Sequence, residues 1–168
     1  MLLSLPRFFA VALSLLVILV GGLSIAPAAY AQDNTVDYTL TDLSFRDFSG
    51  KQLSGTSFAA AEMREANFAK ADLSKTILTK ASFLRANLAG ANLAGTFADR
   101  VIFDGADLSN AIFSDALLTS SSFGEANITG ADFSGAIIDR FQTAQMCKYA
   151  DGVNETTGVA TRDSLGCR

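Results

Sequence analysis

Residues 86 to 95 read ANLAGANLAG, one five-residue word written twice. A period of five restricts the fold more than any other feature of the chain. A strand repeats its side-chain pattern every two residues and an amphipathic helix every 3.6, so five fits neither. Self-similarity of this kind instead predicts a solenoid whose neighbouring repeats bury one continuous core. Taking the central apolar residue of each pentapeptide as position i, the register runs from Tyr38 to Ile138. Of its 21 centres, eight are Phe and eight are Leu, which excludes a composition effect. Position i−2 is small: Ala at 12 of 21 sites, with Thr, Val or Ser at seven more, and only Arg46 and Lys51 as exceptions. The large i and small i−2 side chains are expected inside, with a corner at each pentapeptide. Gly at i+2, as at Gly90 and Gly95, suits a turn with permissive backbone angles, and Asp or Asn at i−1 can hydrogen-bond local backbone there.

The repeat does not start at once. Phe8 to Val20 is an apolar run broken only by Ser14, preceded by Arg7 and followed by Gly21-Gly22, Pro27 and Ala29-Tyr30-Ala31. A basic flank, a short hydrophobic stretch and small residues form the order of a secretory signal peptide, with residues 1–31 removed after Ala31. The alternative is an uncleaved anchor. No cysteine lies near this site, which argues against a lipoprotein anchor. Cleavage takes the formal net charge from −4 to −5 by removing Arg7. An acidic surface favours solubility over nucleic acid or anionic lipid. The two cysteines, Cys147 and Cys167, both lie near the C-terminus. In an exported protein such a pair forms a disulfide, read here as a structural staple, with a redox switch as the alternative.

The repeat residues carry a resemblance. ADLSK at 71, ANLAG at 86, ADLSN at 106 and ADFSG at 131 resemble the A-(D/N)-(L/F)-x-x motif of pentapeptide-repeat proteins. The resemblance implies an all-β solenoid, a right-handed quadrilateral β-helix with four pentapeptides per coil. It covers about Val36 to Arg140, about five coils, and at a spacing of about 4.8 Å makes a rod about 25 Å long. The leader, the repeat block at 32–140 and the tail MCKYADGVNETTGVATRDSLGC together are similar to thylakoid-lumen pentapeptide-repeat proteins of cyanobacteria and plants. That group brings no catalytic residues with it.

An open solenoid end exposes core and unpaired backbone. Residues 141–168 are read as its cap. Asp139 and Gln142 form a capping-box pattern before a helix from Arg140 to about Ala150, with Phe141, Ala144, Met146 and Cys147 as its apolar face. A Cys147–Cys167 bond would contribute on the order of 3 kcal/mol by restricting the unfolded chain. At the other end, Arg46 and Lys51 at inward positions predict an imperfect first coil whose long side chains reach solvent.

Little in the chain suggests catalysis. With no His, acid–base work would fall to carboxylates and metal binding to oxygen ligands. The acidic residues sit mostly at solvent-facing repeat positions. Asp151-Gly-Val-Asn154-Glu155 lacks the alternating ligand spacing of a calcium loop. Asn127-Ile-Thr129 and Asn154-Glu-Thr156 match the glycosylation pattern by accident of the repeat and the loop. The reading has no catalytic, cofactor or metal site. It expects a non-enzymatic structural or interaction scaffold in the thylakoid lumen or periplasm. The rival readings are a DNA-mimicking, topoisomerase-protecting protein and a redox-regulated lumenal protein.

With four pentapeptides per coil, residues twenty apart stack. One outward ladder then reads Asp37, Ser57, Ile77, Phe97, Leu117, Ile137, four apolar rungs in succession, beside a basic line of Lys80, Arg100 and Arg140. An exposed apolar stripe marks a candidate interface. Its occupant is expected to be a protein, such as a lumen-facing membrane complex, or a second copy in a weak homodimer, and not nucleic acid. The competing reading lies in Thr96-Phe-Ala-Asp-Arg100, where Ala98 holds a core position. A local bulge there would exchange Phe97 and Ala98 between faces. Alternatively, another segment of the chain covers the stripe.

Overall fold

The computed structural model describes residues 36–168. The expected leader, 1–31, lies outside the described residues. From Asp37 to Leu117, each i−1 residue forms a parallel bridge with the residue twenty positions later, beginning with Asp37 to Ser57 and ending with Leu117 to Ile137. Four pentapeptides therefore make one turn, and the wall has four faces. Face one holds the pentapeptides centred on residues 38, 58, 78, 98, 118 and 138, and faces two to four follow at steps of five.

Backbone hydrogen bonds account for this wall. The Phe58 N–H donates to the Ile77 carbonyl at 2.8 Å, the Ala60 N–H to Thr79 at 2.9 Å, and the Ile77 N–H to Thr56 at 3.1 Å. Each corner closes on itself, as where the Ala61 N–H donates to the Phe58 carbonyl at 3.0 Å. The i+2 residue is left-handed at all of these corners, and not only where it is glycine. Gly90 has φ 65°, but so, near it, do Lys70 at 57°, Lys75 at 57° and Arg85 at 56°. A non-glycine residue there costs about 1–2 kcal/mol. The corner and ladder hydrogen bonds and the burial of the next centre hold it in place.

Stacking coils bring like side chains into register. Phe83, Phe103 and Phe123 stack nearly parallel and offset at 5.5 and 5.1 Å, and Phe113 on Phe133 at 5.1 Å. Between faces the rings meet edge on, Phe103 against Phe113 at 5.6 Å. Both arrangements suit the aromatic quadrupole. From Leu53 to Phe133 every centre is buried. The first coil is looser: Tyr38 and Phe48 are partly buried, and Arg46 and Lys51 are exposed.

The C-terminal residues close the rod. Helix α1 spans Arg140–Met146 and α2 spans Thr161–Ser164. The expected helix to Ala150 stops four residues short, because the chain turns at Cys147 to bring Ala150 onto the core. The expected capping box does not form. Asp139 stands at the N-cap position without capping through its side chain. Its carboxylate instead accepts the Ser120 N–H at 2.6 Å, in place of its own carbonyl, which accepts the Thr143 N–H of the helix. The apolar face also differs from expectation. Met146 is buried and Cys147 packs on the core, but Phe141 is 74% exposed and Ala144 is exposed too.

A disulfide joins Cys147 to Cys167, with Cα atoms 5.5 Å apart. The buried Asn154 plugs the last coil. Its side-chain amide donates to the carbonyls of Gly130 at 2.8 Å and Asn110 at 3.1 Å, while its Oδ1 accepts the N–H groups of Thr156 and Thr157. Gly152 lets the tail approach: a Cβ there would meet the Gly130 nitrogen at 2.8 Å, and its φ is 82°.

Candidate interaction surface

Face one places Ile77, Phe97, Leu117 and Ile137 in one line through successive parallel bridges. Ile77 is 44% exposed, Phe97 55% and Ile137 60%, with Leu117 half-buried between them. The register passes through Thr96–Arg100 without a bulge. The Phe97 N–H donates to the Thr76 carbonyl at 2.9 Å and the Ala98 N–H to Leu117 at 2.8 Å, the ladder partners expected of an unbroken repeat. Ala98 is fully buried. Phe97 therefore points outward and Ala98 inward, and the expected alternative of an exchange is not what the chain does. A small centre here is accompanied by larger residues on the next inward corners, Val101 and Ser121, both buried. The Ser121 hydroxyl donates to the Ala98 carbonyl and accepts the Val101 N–H at 2.9 Å. That polar bridge locks the coil at the point where the side-chain volume is lowest.

Beneath the stripe the inward i−2 residues are Thr76, Thr96, Ala116 and Ala136, and Thr56 precedes them beneath Ser57; all three threonines are buried. Thr76 donates to the Leu73 carbonyl at 2.7 Å, whereas the hydroxyls of Thr56 and Thr96 have no protein partner. Face one thus adds three buried hydroxyls to its apolar interior and turns hydrocarbon outward as well.

The basic line beside it is shorter than expected. Lys80 and Arg100 occupy exposed corners, Ser120 takes the next corner, and Arg140 leaves the wall as the first residue of α1. Arg100 is paired with Asp99, with Nε at 2.8 Å and the terminal nitrogen at 2.7 Å. The Thr119 hydroxyl, then Arg100 and Lys80, hold the Asp99 carboxyl below the usual range.

Sequence reasoning missed a cleft on the corner between faces two and three. Leu84, Arg85, Asp104, Gly105, Gly124 and Glu125 line a space of about 610 Å³. It continues into a second hollow of about 510 Å³ against Phe141, Gln142, Gln145 and Tyr149. Tyr149 anchors that wall by donating its hydroxyl to the Phe123 carbonyl at 3.0 Å, and burial, followed by Asp104, raises its pKa. Gly105 and Gly124, neighbours across one coil spacing, were the available signal, since the wall lacks side chains there.

The pentapeptide-repeat family model matches in eight copies over residues 39–79, 66–105 and 102–139, more than half of the chain. This chain belongs to the pentapeptide-repeat family. Its members form right-handed quadrilateral β-helices. Among solved structures, a pentapeptide-repeat protein from the thylakoid lumen of Arabidopsis thaliana shares 40% identity, over 76% of this chain and 88% of that one, with TM-score 0.49. A pentapeptide-repeat protein from Nostoc shares 19% identity over 71% of this chain and 85% of that one, TM-score 0.49. QnrB1, a plasmid-mediated fluoroquinolone resistance protein, shares 18% over 68% and 82%, TM-score 0.36. Comparison with curated proteins gives no match.

Proposed function

We propose that this pentapeptide-repeat protein is a non-catalytic scaffold, a rod of about five coils exported to the thylakoid lumen or periplasm, that docks another protein on face one. One observation carries the reading. The repeat could have hidden Phe97 by a one-residue slip, and instead keeps it outward with Ala98 in the core. Exposing an aromatic ring between Ile77 and Leu117 forgoes burial worth about 1.5–3 kcal/mol, an expense that serves a binding surface and not the fold. The leader-like order of residues 1–31 and the disulfide at Cys147–Cys167 support an oxidising compartment outside the cytosol. Residues 141–168 act as the cap of the rod in this reading.

The test is affinity capture from lumen or periplasm with wild-type and Leu117→Ser protein, alongside thermal unfolding of both. Loss of captured partner with a nearly unchanged transition is expected. Normal capture combined with a large loss of stability would overturn the assignment of face one. Intact mass of the native protein without reductant checks the compartment: residues 32–168 less two hydrogens are expected, and a full-length, reduced chain would contradict export.

A further inference from the structure

We infer that face one is self-complementary, and that its occupant is a second copy of this chain packed antiparallel. The inference rests on the reading of face one as a docking surface and names the partner. The first observation is a charge gradient along the rod. Residues 64–100 carry six basic side chains, Arg64, Lys70, Lys75, Lys80, Arg85 and Arg100, against Glu65, Asp72 and Asp99. Residues 101–139 carry no basic side chain and six acidic ones. A rod with a basic middle and an acidic end attracts a second copy that runs the opposite way.

The second observation lies on the corner that leads into face one. Its successive rungs are Lys75, Gly95, Asp115 and Gly135. The Lys75 stem lies over Gly95, where a Cβ would be 3.7 Å from its Cγ. Asp115 leans over Gly135 in the same sense, with its Oδ1 where a Cβ would sit. Neither Lys75 nor Asp115 forms an ion pair among the described residues. A two-fold axis perpendicular to the rod, between the rungs of Phe97 and Leu117, sets Gly95 of one copy opposite Asp115 of the other. The Lys75 side chain, whose stem lies over Gly95, then runs alongside the Asp115 side chain of the second copy, which leans over Gly135 at the level of Lys75, twice by symmetry. On the apolar line the same axis sets Phe97 against Leu117 and Ile77 against Ile137. The parallel alternative places Lys75 of one copy on Lys80 of the other at a single level, a like-charge contact that disfavours it.

The interface is small. Four rungs at about 4.8 Å and a face about 20 Å wide with its corners give on the order of 400 Å² per copy, the low end for specific association. A weak, rapidly exchanging dimer follows, half-formed at high-micromolar concentration.

Sedimentation equilibrium of the natively processed protein, from 10 μM to 1 mM, tests this. A monomer–dimer transition is expected for wild type, weakened at least tenfold in Leu117→Arg. Lys75→Glu should weaken it several-fold, and adding Asp115→Lys to that variant should restore it. Concentration-dependent amide shifts in wild-type protein should gather on Ile77, Phe97, Leu117 and Ile137, a readout that needs no variant. A wild-type chain that stays monomeric at 1 mM, shifts elsewhere on the rod, or a dimer indifferent to Leu117→Arg or Lys75→Glu overturns the inference. If the chain is monomeric but Leu117→Ser still abolishes partner capture, this inference fails and the docking surface stands. If Leu117→Ser changes neither, both fail.

Discussion

Face one and face three share a backbone and differ in nearly every outward atom. On face three the i−1 rungs are Asp47, Asn67, Asn87, Asp107 and Asn127. Each accepts the N–H two residues on, as Asn67 does from Ala69 at 3.1 Å. Asn67 also donates to Asp47 at 3.0 Å, and Asn127 to Asp107 at 3.0 Å, so the rungs are tied along the rod. Alanines at 66, 86, 106 and 126 pack beneath them. On face one the bridges continue through Ile77, Phe97, Leu117 and Ile137 with no side-chain hydrogen bond between rungs. The wall therefore does not require the asparagine ladder. It requires the centres, the small inward residues and the corners, and the outward rung is free to serve other ends.

That separation can be broken most severely from inside. Phe103 touches Phe83, Phe113 and Phe123. Phe103→Ala should lose about 3–5 kcal/mol and loosen both faces together, seen as a lower denaturant midpoint and faster amide exchange on each.

Acid acts next, on face four, where Asp132 follows Asp72, Asn92 and Ile112 in line. Burial pushes the Asp132 carboxyl up, but the Ser134 hydroxyl and N–H and the Thr157 hydroxyl outweigh it and hold the pKa below the usual range. Its stabilising effect is present above the unfolded pKa of about 4 and is lost as pH falls through the lower folded value. Urea midpoints should therefore fall below about pH 4, and Asp132→Asn should flatten that fall.

Asn67→Ala removes its bond to Asp47 along the rod and the local bond it accepts from the Ala69 N–H, and should cost about 1 kcal/mol, read from the thermal transition. Leu117→Ser, on face one, should change stability least, by about 0.5–1 kcal/mol, because Leu117 points outward and is already partly in water. A cost for Leu117→Ser larger than that for Asn67→Ala would show that face one is structural after all.

The residues that obeyed the period were legible. Leu88, Leu93, Ala86 and Ala91 occupy the interior as their spacing demands, and the i−1 Asp and Asn side chains accept local N–H groups as their chemistry suggests. The tail was less legible because it has no period. Phe141 looked like core from its place in α1, yet the short helix turns it outward. Asp139 looked like a cap, but its carboxylate accepts the Ser120 N–H of the preceding coil. Asn154 looked like an ordinary loop residue, and it is buried among carbonyls of residues more than twenty positions earlier. In each case the deciding partner is distant in sequence.

The sequence by itself determined the coil: a period of five with large centres and small i−2 residues buries one stripe only if the chain turns a corner at every pentapeptide. It determined as well which rungs are apolar and that two cysteines flank the tail. Tertiary structure decided that thirteen non-glycine residues among those described adopt the left-handed corner, since ladder hydrogen bonds to the adjoining coils enforce an angle that local preference resists. It also decided which way Thr96–Arg100 faces. Local pattern allowed Phe97 or Ala98 inside, and the bonds to Thr76 and Leu117 on the adjoining coils admit only Ala98.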